Sequence, residues 1–200
     1  MKRQVEGSKK GKRFPPRNKQ GIGKVLVLDY YPQGKSLSRR SAEAYNPLAV
    51  VISINRLAFF DIILSRGKNI QAGQTLDVSA IKSDLLKINR IGFNELSDSA
   101  VDILPEMIKK IVILSESRFI NFLNHARPLT TQMHQLQLLP GIGNKRLWQI
   151  LEARRKIEFK DLDDFTERTG ISDPIGLFSN RILQEIQGKE KYQLFIQKQK

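Results

Sequence analysis

The sequence predicts a two-domain α+β protein in which a small antiparallel β-barrel precedes an all-α domain. Runs of β-branched and aromatic residues recur at short intervals from Lys24 to Phe93 without a long helix between them. From Ser97 onward the apolar residues follow the helical period instead. A helix, a glycine-containing turn and a second helix then occur twice before Gly188. These observations place the strands in one domain and the helices in the next.

The composition indicates a globular protein with a polyanionic partner. The chain of 200 residues has 34 lysines and arginines against 20 acidic residues, and its 40% hydrophobic content is enough for real cores. The net charge of +14 favours nucleic acid as that partner. Cysteine is absent, which excludes disulfides and thiolate metal sites. With no long apolar run either, the sequence predicts a cytoplasmic protein without a membrane partner.

Residues 1–20 form a distinct basic segment with eight basic side chains and one acidic one. Because they contain almost nothing to bury, we expect a disordered tail. The tail could wrap phosphates on binding. The alternative is a solubilising tail without a specific partner, since charge runs are usually solvated.

Residues 21–114 are predicted to form the barrel domain with a covering helix. The first strand is Lys24–Tyr31, and the runs Leu48–Ile54 and Leu57–Leu64 read as a hairpin. Two further strands are expected within residues 75–81 and 86–93. Five short strands at this spacing are typical of a barrel of the oligonucleotide-binding type, called OB-like below.

The candidate contact surface of the barrel is its first loop, residues 32–47, together with one strand face. Arg39 and Arg40 in this loop are candidate nucleic-acid contacts. Bases could stack on the adjacent aromatic pairs Tyr30, Tyr31, Phe59 and Phe60. Strand neighbours point to opposite sides, so only one ring of each pair should face the core. Core or rim packing is the alternative for any single ring.

Residues 115–188 are predicted to form the helical domain. Ser97 and Asp98 can cap the preceding helix, which contains Pro105 and covers the barrel. The boundary is placed near Leu114, because a new helix starts at Ser115 and ends before Pro128. Thr130 and Thr131 are expected to cap a helix that runs to Leu138. Residues 189–200 form a basic C-terminal tail to which the sequence assigns no role.

The segment Leu138–Lys145 is the most informative stretch of the sequence. Pro140 stops the first helix, and Gly141 and Gly143 allow positive φ and the close approach of another backbone. Ile142 should point into the helix pair. The amides of about residues 143–145 then begin the next helix without intrahelical acceptors, at the positive end of its dipole. This arrangement predicts an anion site, to which Lys145 adds a full charge.

The residues Leu-Pro-Gly-Ile-Gly-Asn-Lys resemble the hairpin of the helix-hairpin-helix superfamily, which grips nucleic-acid phosphates through its backbone without reading bases. The alternative is a plain helical corner with glycine as a C-cap. The resemblance implies these nucleic-acid-binding residues: Gly141, Ile142, Gly143, Asn144, Lys145 and Arg146.

The second turn, Thr169–Pro174, lacks the paired glycines and lies in acidic surroundings. Residues 127–156 have six basic groups and one acid, whereas residues 157–188 have three basic groups and seven acids. Acidic side chains repel phosphate, so we expect the first turn to bind and the second to be structural. Asp173 also stands near the place where a phosphate would lie.

On a larger scale the chain resembles the domain-of-unknown-function family 655. The similarity covers about residues 21–188, is specific at the hairpin Leu138–Gly143, which follows Arg127–Thr131 and His134, and is loose in the barrel. The resemblance implies a predicted nucleic-acid-binding protein with an OB-like barrel, helix-hairpin-helix repeats and no known enzymatic activity.

No catalytic constellation stands out in the sequence, and no cofactor or metal is expected. The only histidines are His125 and His134, and His134 either touches phosphate or satisfies a backbone carbonyl. The expected function is therefore non-enzymatic, largely sequence-independent binding of DNA or RNA. Two alternatives stay open: a metal-dependent nuclease or repair factor that docks through the hairpin, and a protein-binding adaptor of the transcription or translation machinery.

Overall fold

The computed structural model describes residues 22–35, 45–67 and 69–196. Its strands are β1 (Lys24–Tyr31), β2 (Leu48–Ser53), β3 (Phe59–Leu64), β4 (Thr75–Asp77) and β5 (Leu85–Ile91). Its α-helices are α1 (Asp98–Leu114), α2 (Glu116–His125), α3 (Asn144–Lys156), α4 (Leu162–Thr169) and α5 (Pro174–Ile186). The predicted α+β class with an antiparallel sheet is confirmed.

The sheet has the strand order β4-β1-β2-β3-β5, and every pairing is antiparallel. The order 4-1-2-3 of its first four strands is that of a Greek key. In place of the predicted OB-like barrel, the described residues form a sheet that is not closed, because no ladder joins β4 to β5 there. β4 is only three residues long, which leaves few hydrogen-bonding groups with which to close the sheet.

Both faces of the sheet are buried along strands β1, β2 and β3. Leu26, Val50 and Phe59 face the core shared with the helices, whereas Val25 and Phe60 face a second cluster on the other side. The expectation that only one ring of each aromatic pair faces a core was wrong for Phe59 and Phe60, which are 5% and 7% exposed. Two adjacent rings can both be buried because each face of the sheet has its own core.

Helix α1 joins the sheet to the helical half. Ser97 caps it by accepting a hydrogen bond from the Ala100 amide at 3.3 Å, and the helix continues through Pro105. Its buried face belongs to one continuous apolar cluster that extends from β1 to Phe195. At the far end of this cluster, the ring centroids of Phe119 and Phe178 are 4.9 Å apart. The helical half is therefore held against the sheet by apolar packing.

The segment that enters the first glycine turn is less helical than expected. Instead of a helix from Thr130, the chain forms a β-bridge between Pro128 and His134, and a 3₁₀ turn follows at Gln135–Leu138. The Gln137 side chain accepts from the His134 amide at 2.7 Å. This local hydrogen bond competes with a longer α-helix and fixes where the turn starts.

Candidate nucleic-acid interface

The first glycine turn connects the 3₁₀ segment to α3 by five residues, 139–143, whose backbone is tightly folded. Gly141 has a φ of +79°, which favours glycine, and the Ile142 amide donates to the Leu139 carbonyl at 3.1 Å. Ile142 is 4% exposed and belongs to the core cluster, so it anchors the turn in the interior. Gly143 does not have the positive φ that the sequence suggested, because its φ is −85°.

Gly143 is the N-cap of α3 and has no side chain with which to cap the helix. Its carbonyl accepts from the Leu147 amide at 2.9 Å, but the amides of Asn144, Lys145 and Arg146 have no acceptor among the described residues. Three exposed N–H donors at the positive end of a helix dipole suit an anion.

Nothing within the fold requires glycine at residue 143. Its backbone angles are open to any residue, and a Cβ atom built there would have no neighbour within 4 Å. The bare backbone leaves room for a molecule from outside to come close to the helix.

Cationic side chains lie at both ends of α3, and they differ in what they bind. Lys145 is exposed, and Arg146 is exposed as well but folds back so that its Nη1 donates to the Gly141 carbonyl at 3.1 Å. Arg154 points inward and donates to the carbonyls of Leu123 and Ala126 at 2.7 and 2.9 Å. Arg154 was counted with the phosphate-binding charges, and its role here is to bind carbonyls at the end of α2.

His134 is buried beside the turn and makes a backbone contact of its own. Its Nδ1 accepts from the Leu136 amide at 3.1 Å, so it satisfies an amide and not the carbonyl expected from the sequence. Burial, followed by the charge of Arg154, lowers the pKa of His134, and the ring stays neutral at neutral pH. Asn144, at the start of α3, accepts from the Gln137 amide group at 2.8 Å. These two hydrogen bonds stabilise the segment before the turn and link it to the start of α3.

The second glycine turn also contains a glycine with positive φ, but the helix that follows it has a side-chain N-cap. Gly170 is left-handed with a φ of +69°, and Asp173 caps α5 by accepting from the Gly176 amide at 2.7 Å. A Cβ atom at Gly176 would collide with the Asp173 carboxylate. The protein's own carboxylate therefore occupies the position where an anion would lie.

A buried ion pair within α5 connects this helix to the first turn and to residues 194–196, and the sequence did not predict it. Arg181 of α5 binds Glu185 at 2.9 Å, and their side chains are 3% and 0% exposed. Arg181 Nη1 also donates to the Leu138 carbonyl, at the start of the first turn, at 3.0 Å. Glu185 accepts from the amides of residues 194–196, which hold Phe195 in the aromatic core. The i, i+4 spacing of Arg181 and Glu185 was the available signal.

On the sheet surface, the candidate stacking residue Tyr31 has both a carboxylate and an ammonium group beside it. The Tyr31 hydroxyl donates to Asp29 at 2.6 Å, and the Lys35 ammonium lies 4.6 Å from the Tyr31 ring centroid. Burial would raise the pKa of Asp29, but hydrogen bonds from Tyr31, Ser97, Ser99 and the Tyr30 amide outweigh it and lower the pKa. An ionised carboxylate beside Tyr31 does not favour phosphate.

The predicted loop contacts Arg39 and Arg40 lie outside the described residues, as does the basic segment 1–20. Within the described ranges, no group of three or more acidic or histidine side chains is arranged to hold a metal ion. None of the helices in the described part of the chain is long and apolar enough to cross a lipid bilayer.

Fold and site together define a class of small α+β proteins in which a five-stranded antiparallel sheet is followed by helices with two glycine turns. The chain belongs to the DUF655 family, described as proteins of unknown function, whose model matches residues 23–197. The resemblance inferred from the sequence is confirmed.

Two archaeal proteins illustrate the relationship. The uncharacterized protein MJ0038 of Methanocaldococcus jannaschii is 29% identical over 197 residues, which cover 96% of this chain and 88% of that protein. The crystal structure of Af1531 from Archaeoglobus fulgidus, a DUF655 protein, superimposes with a TM-score of 0.74 at 32% identity. That match covers 86% of this chain and 98% of Af1531.

Proposed function

We propose that this protein binds DNA or RNA through the phosphate backbone, largely without reading the base sequence. The observation that carries the proposal is the first turn of α3, where three exposed amides lack acceptors among the described residues and Gly143 leaves the approach open. Phosphate oxygens match these donors in charge and geometry, and a charge-assisted hydrogen bond contributes about 1.5–3 kcal/mol.

The same proposal gives the finer reading of the fold. The Greek-key order of the sheet fits an OB-like barrel opened between β4 and β5. The two glycine turns, each followed by a 13-residue helix, fit a tandem helix-hairpin-helix unit. In this reading the first hairpin holds phosphates and the second completes the packing.

Charge supports the first hairpin as the binding element. Residues 127–156 have five more basic than acidic residues in sum, whereas residues 157–188 have four more acidic ones. The exposed cations Lys145, Arg155 and Lys156 lie along α3. Coulomb attraction to a polyanion therefore favours this half of the helical region.

The test is a binding titration against labelled DNA and RNA at a series of salt concentrations. Each neutralised phosphate changes the slope of log K against log salt by about −0.9 on duplex DNA and about −0.7 on single strands. Lys145→Glu should make that slope shallower by at least about one unit. The matched control Lys160→Glu makes the same charge change at an exposed lysine before α4 and should leave the slope unchanged. Affinity that does not depend on salt would contradict the proposal.

The same preparation separates the two alternatives. Incubation with Mg²⁺ or Mn²⁺ and labelled DNA or RNA would favour the nuclease if turnover survives purification and disappears on Asp→Asn changes. An adaptor would keep its protein partner after Gly143→Asp and Lys145→Glu, whereas nucleic-acid binding would be lost.

A further inference from the structure

Trp148 is the only tryptophan of the chain, and 68% of its surface is exposed. Among the residues that the structure describes, the indole makes no ring–ring contact, no cation–π contact and no hydrogen bond. By contrast, the Phe119 and Phe178 rings are fully buried. A large flat apolar ring is thus open to solvent on α3.

The position of Trp148 places it beside the free amides. It lies four residues after Asn144 and three after Lys145, so these side chains share one side of α3. Helical side chains lean toward the N-terminus of their helix, so the indole covers the first turn. Leu147 and Ile150 point the other way, into the core.

The charge around the ring selects its partner. Helix α3 has five basic residues and one acidic residue, Glu152. A ring on a cationic helix, about 4.5 Å along the axis from Lys145, can meet the base attached to a phosphate held at the helix N-terminus. Every nucleobase has a π-face that stacks on an indole, and stacking tolerates any sequence.

We propose that Trp148 is a stacking platform for an unpaired base, so that the first hairpin prefers nucleic acid with a single-stranded segment. In a duplex the base faces are covered by their neighbours, and exposing one costs a few kcal/mol. The inference rests on the proposed function and adds a preference that backbone contacts alone do not supply.

The experiment uses the full chain and the fluorescence of its single tryptophan. An oligothymidylate and an oligouridylate should quench the emission of Trp148, and a blunt duplex of equal length should change it little. Trp148→Ala should weaken binding to the single strands by about tenfold. The salt slope and the duplex affinity should stay as in the wild type, because stacking releases no counterions. Trp148→Phe should retain most of the single-strand affinity.

Ile157→Ala is the matched control, because Ile157 is 66% exposed but lies at the other end of α3, about 14 Å along the axis. Ile157→Ala should change neither the single-strand affinity nor the duplex affinity. Thermal unfolding should be the same in all three variants, since neither side chain is packed.

Three results would overturn the inference. If Trp148→Ala leaves the single-strand affinity unchanged while Lys145→Glu still flattens the salt slope, phosphate binding stands and stacking fails. If the duplex quenches the Trp148 emission as strongly as the single strands do, the preference for an unpaired base fails as well. If the wild-type chain binds no nucleic acid in a salt-dependent manner, the proposed function itself fails and stacking falls with it.

Discussion

The two glycine turns of the helical half differ in the residue that begins the following helix. Gly143 is the N-cap of α3 and has no side chain that could accept hydrogen bonds from the first amides of the helix. At the start of α5, by contrast, the Asp173 carboxylate accepts from the Gly176 amide. Similar backbone outlines therefore present opposite chemistry: free donors among basic side chains in one turn, and satisfied donors among acidic side chains in the other.

This difference shows how one structural unit can serve two purposes. A helix N-terminus needs some acceptor for its free amides. When the acceptor comes from the protein, as at Asp173, the helix is stabilised, and when none is supplied the donors remain available for a ligand. The proposed division of labour between the two turns leads to four predictions, in order of expected effect.

The largest effect should come from the buried ion pair of Arg181 and Glu185, which joins α5 to the first turn. Arg181→Ala leaves Glu185 buried with an unpaired charge and releases the Leu138 carbonyl, so the free energy of unfolding should fall by about 3–5 kcal/mol. Urea denaturation measures the loss. The exposed Arg155→Ala should change it by less than about 0.5 kcal/mol. A loss below about 1 kcal/mol for Arg181→Ala would mean that this pair does not hold α5 against the first turn.

The second prediction gives the first turn the cap of the second. Gly143→Asp should place a carboxylate on the free amides of α3, and nucleic-acid affinity should fall by about a hundredfold, since the phosphate loses two or more charge-assisted hydrogen bonds. Stability should rise by a few tenths of a kcal/mol, because the backbone angles accept any residue and the helix gains a cap. Fluorescence anisotropy and thermal unfolding test the two parts. An affinity within about threefold of the wild type would place phosphate binding elsewhere.

The third prediction removes the cap from the second turn. Asp173→Ala should lower the free energy of unfolding by about 1 kcal/mol and leave nucleic-acid affinity unchanged. Asp173→Asn keeps an acceptor oxygen and should recover most of the loss in the same denaturation experiment. Weaker nucleic-acid binding in Asp173→Ala would show that the second turn also takes part.

The smallest effect concerns pH. The folded-state pKa of His134 is lowered by burial and by Arg154, so the unfolded chain takes up a proton first as the pH falls. The neutral His134 ring therefore stabilises the folded state in full above its unfolded-state pKa of about 6.5. This stabilisation is lost as the pH falls below that value. Hydrogen exchange of the Leu136 amide should therefore quicken between about pH 7.5 and pH 5.5 after correction for intrinsic rates. The Gly176 amide, which is held by a carboxylate, should stay protected over this window.

Local signals predicted the strands and the turns well. The β-branched runs gave β1, β2 and β3 nearly to the residue, and the segment from Leu138 to Lys145 identified the glycine turn. The chemistry of the turn was predictable because the placement of Gly143 and the absence of a capping side chain depend only on neighbours in sequence. The short helix expected from Thr130 failed because Gln137 and His134 form side-chain contacts that compete with it.

Contacts between distant residues were beyond the sequence. Arg154 counts as one positive charge in any composition, yet its partners Leu123 and Ala126 lie about 30 residues away. Phe195 stands among basic residues near the C-terminus and still packs on Phe119 and Phe178. Such roles depend on which surfaces meet.

The sequence by itself determined the α+β class, the family and the opposite charges of the two turns, because periodicity, motif and charge are local properties of the chain. The tertiary structure decided which side chains remain free. It turned Arg154 and His134 inward, buried Phe59 and Phe60 on opposite faces of one sheet and left Lys145 and Trp148 exposed. Availability to a ligand depends on the packing of every other element, and that is why it could not be derived from the order of residues alone.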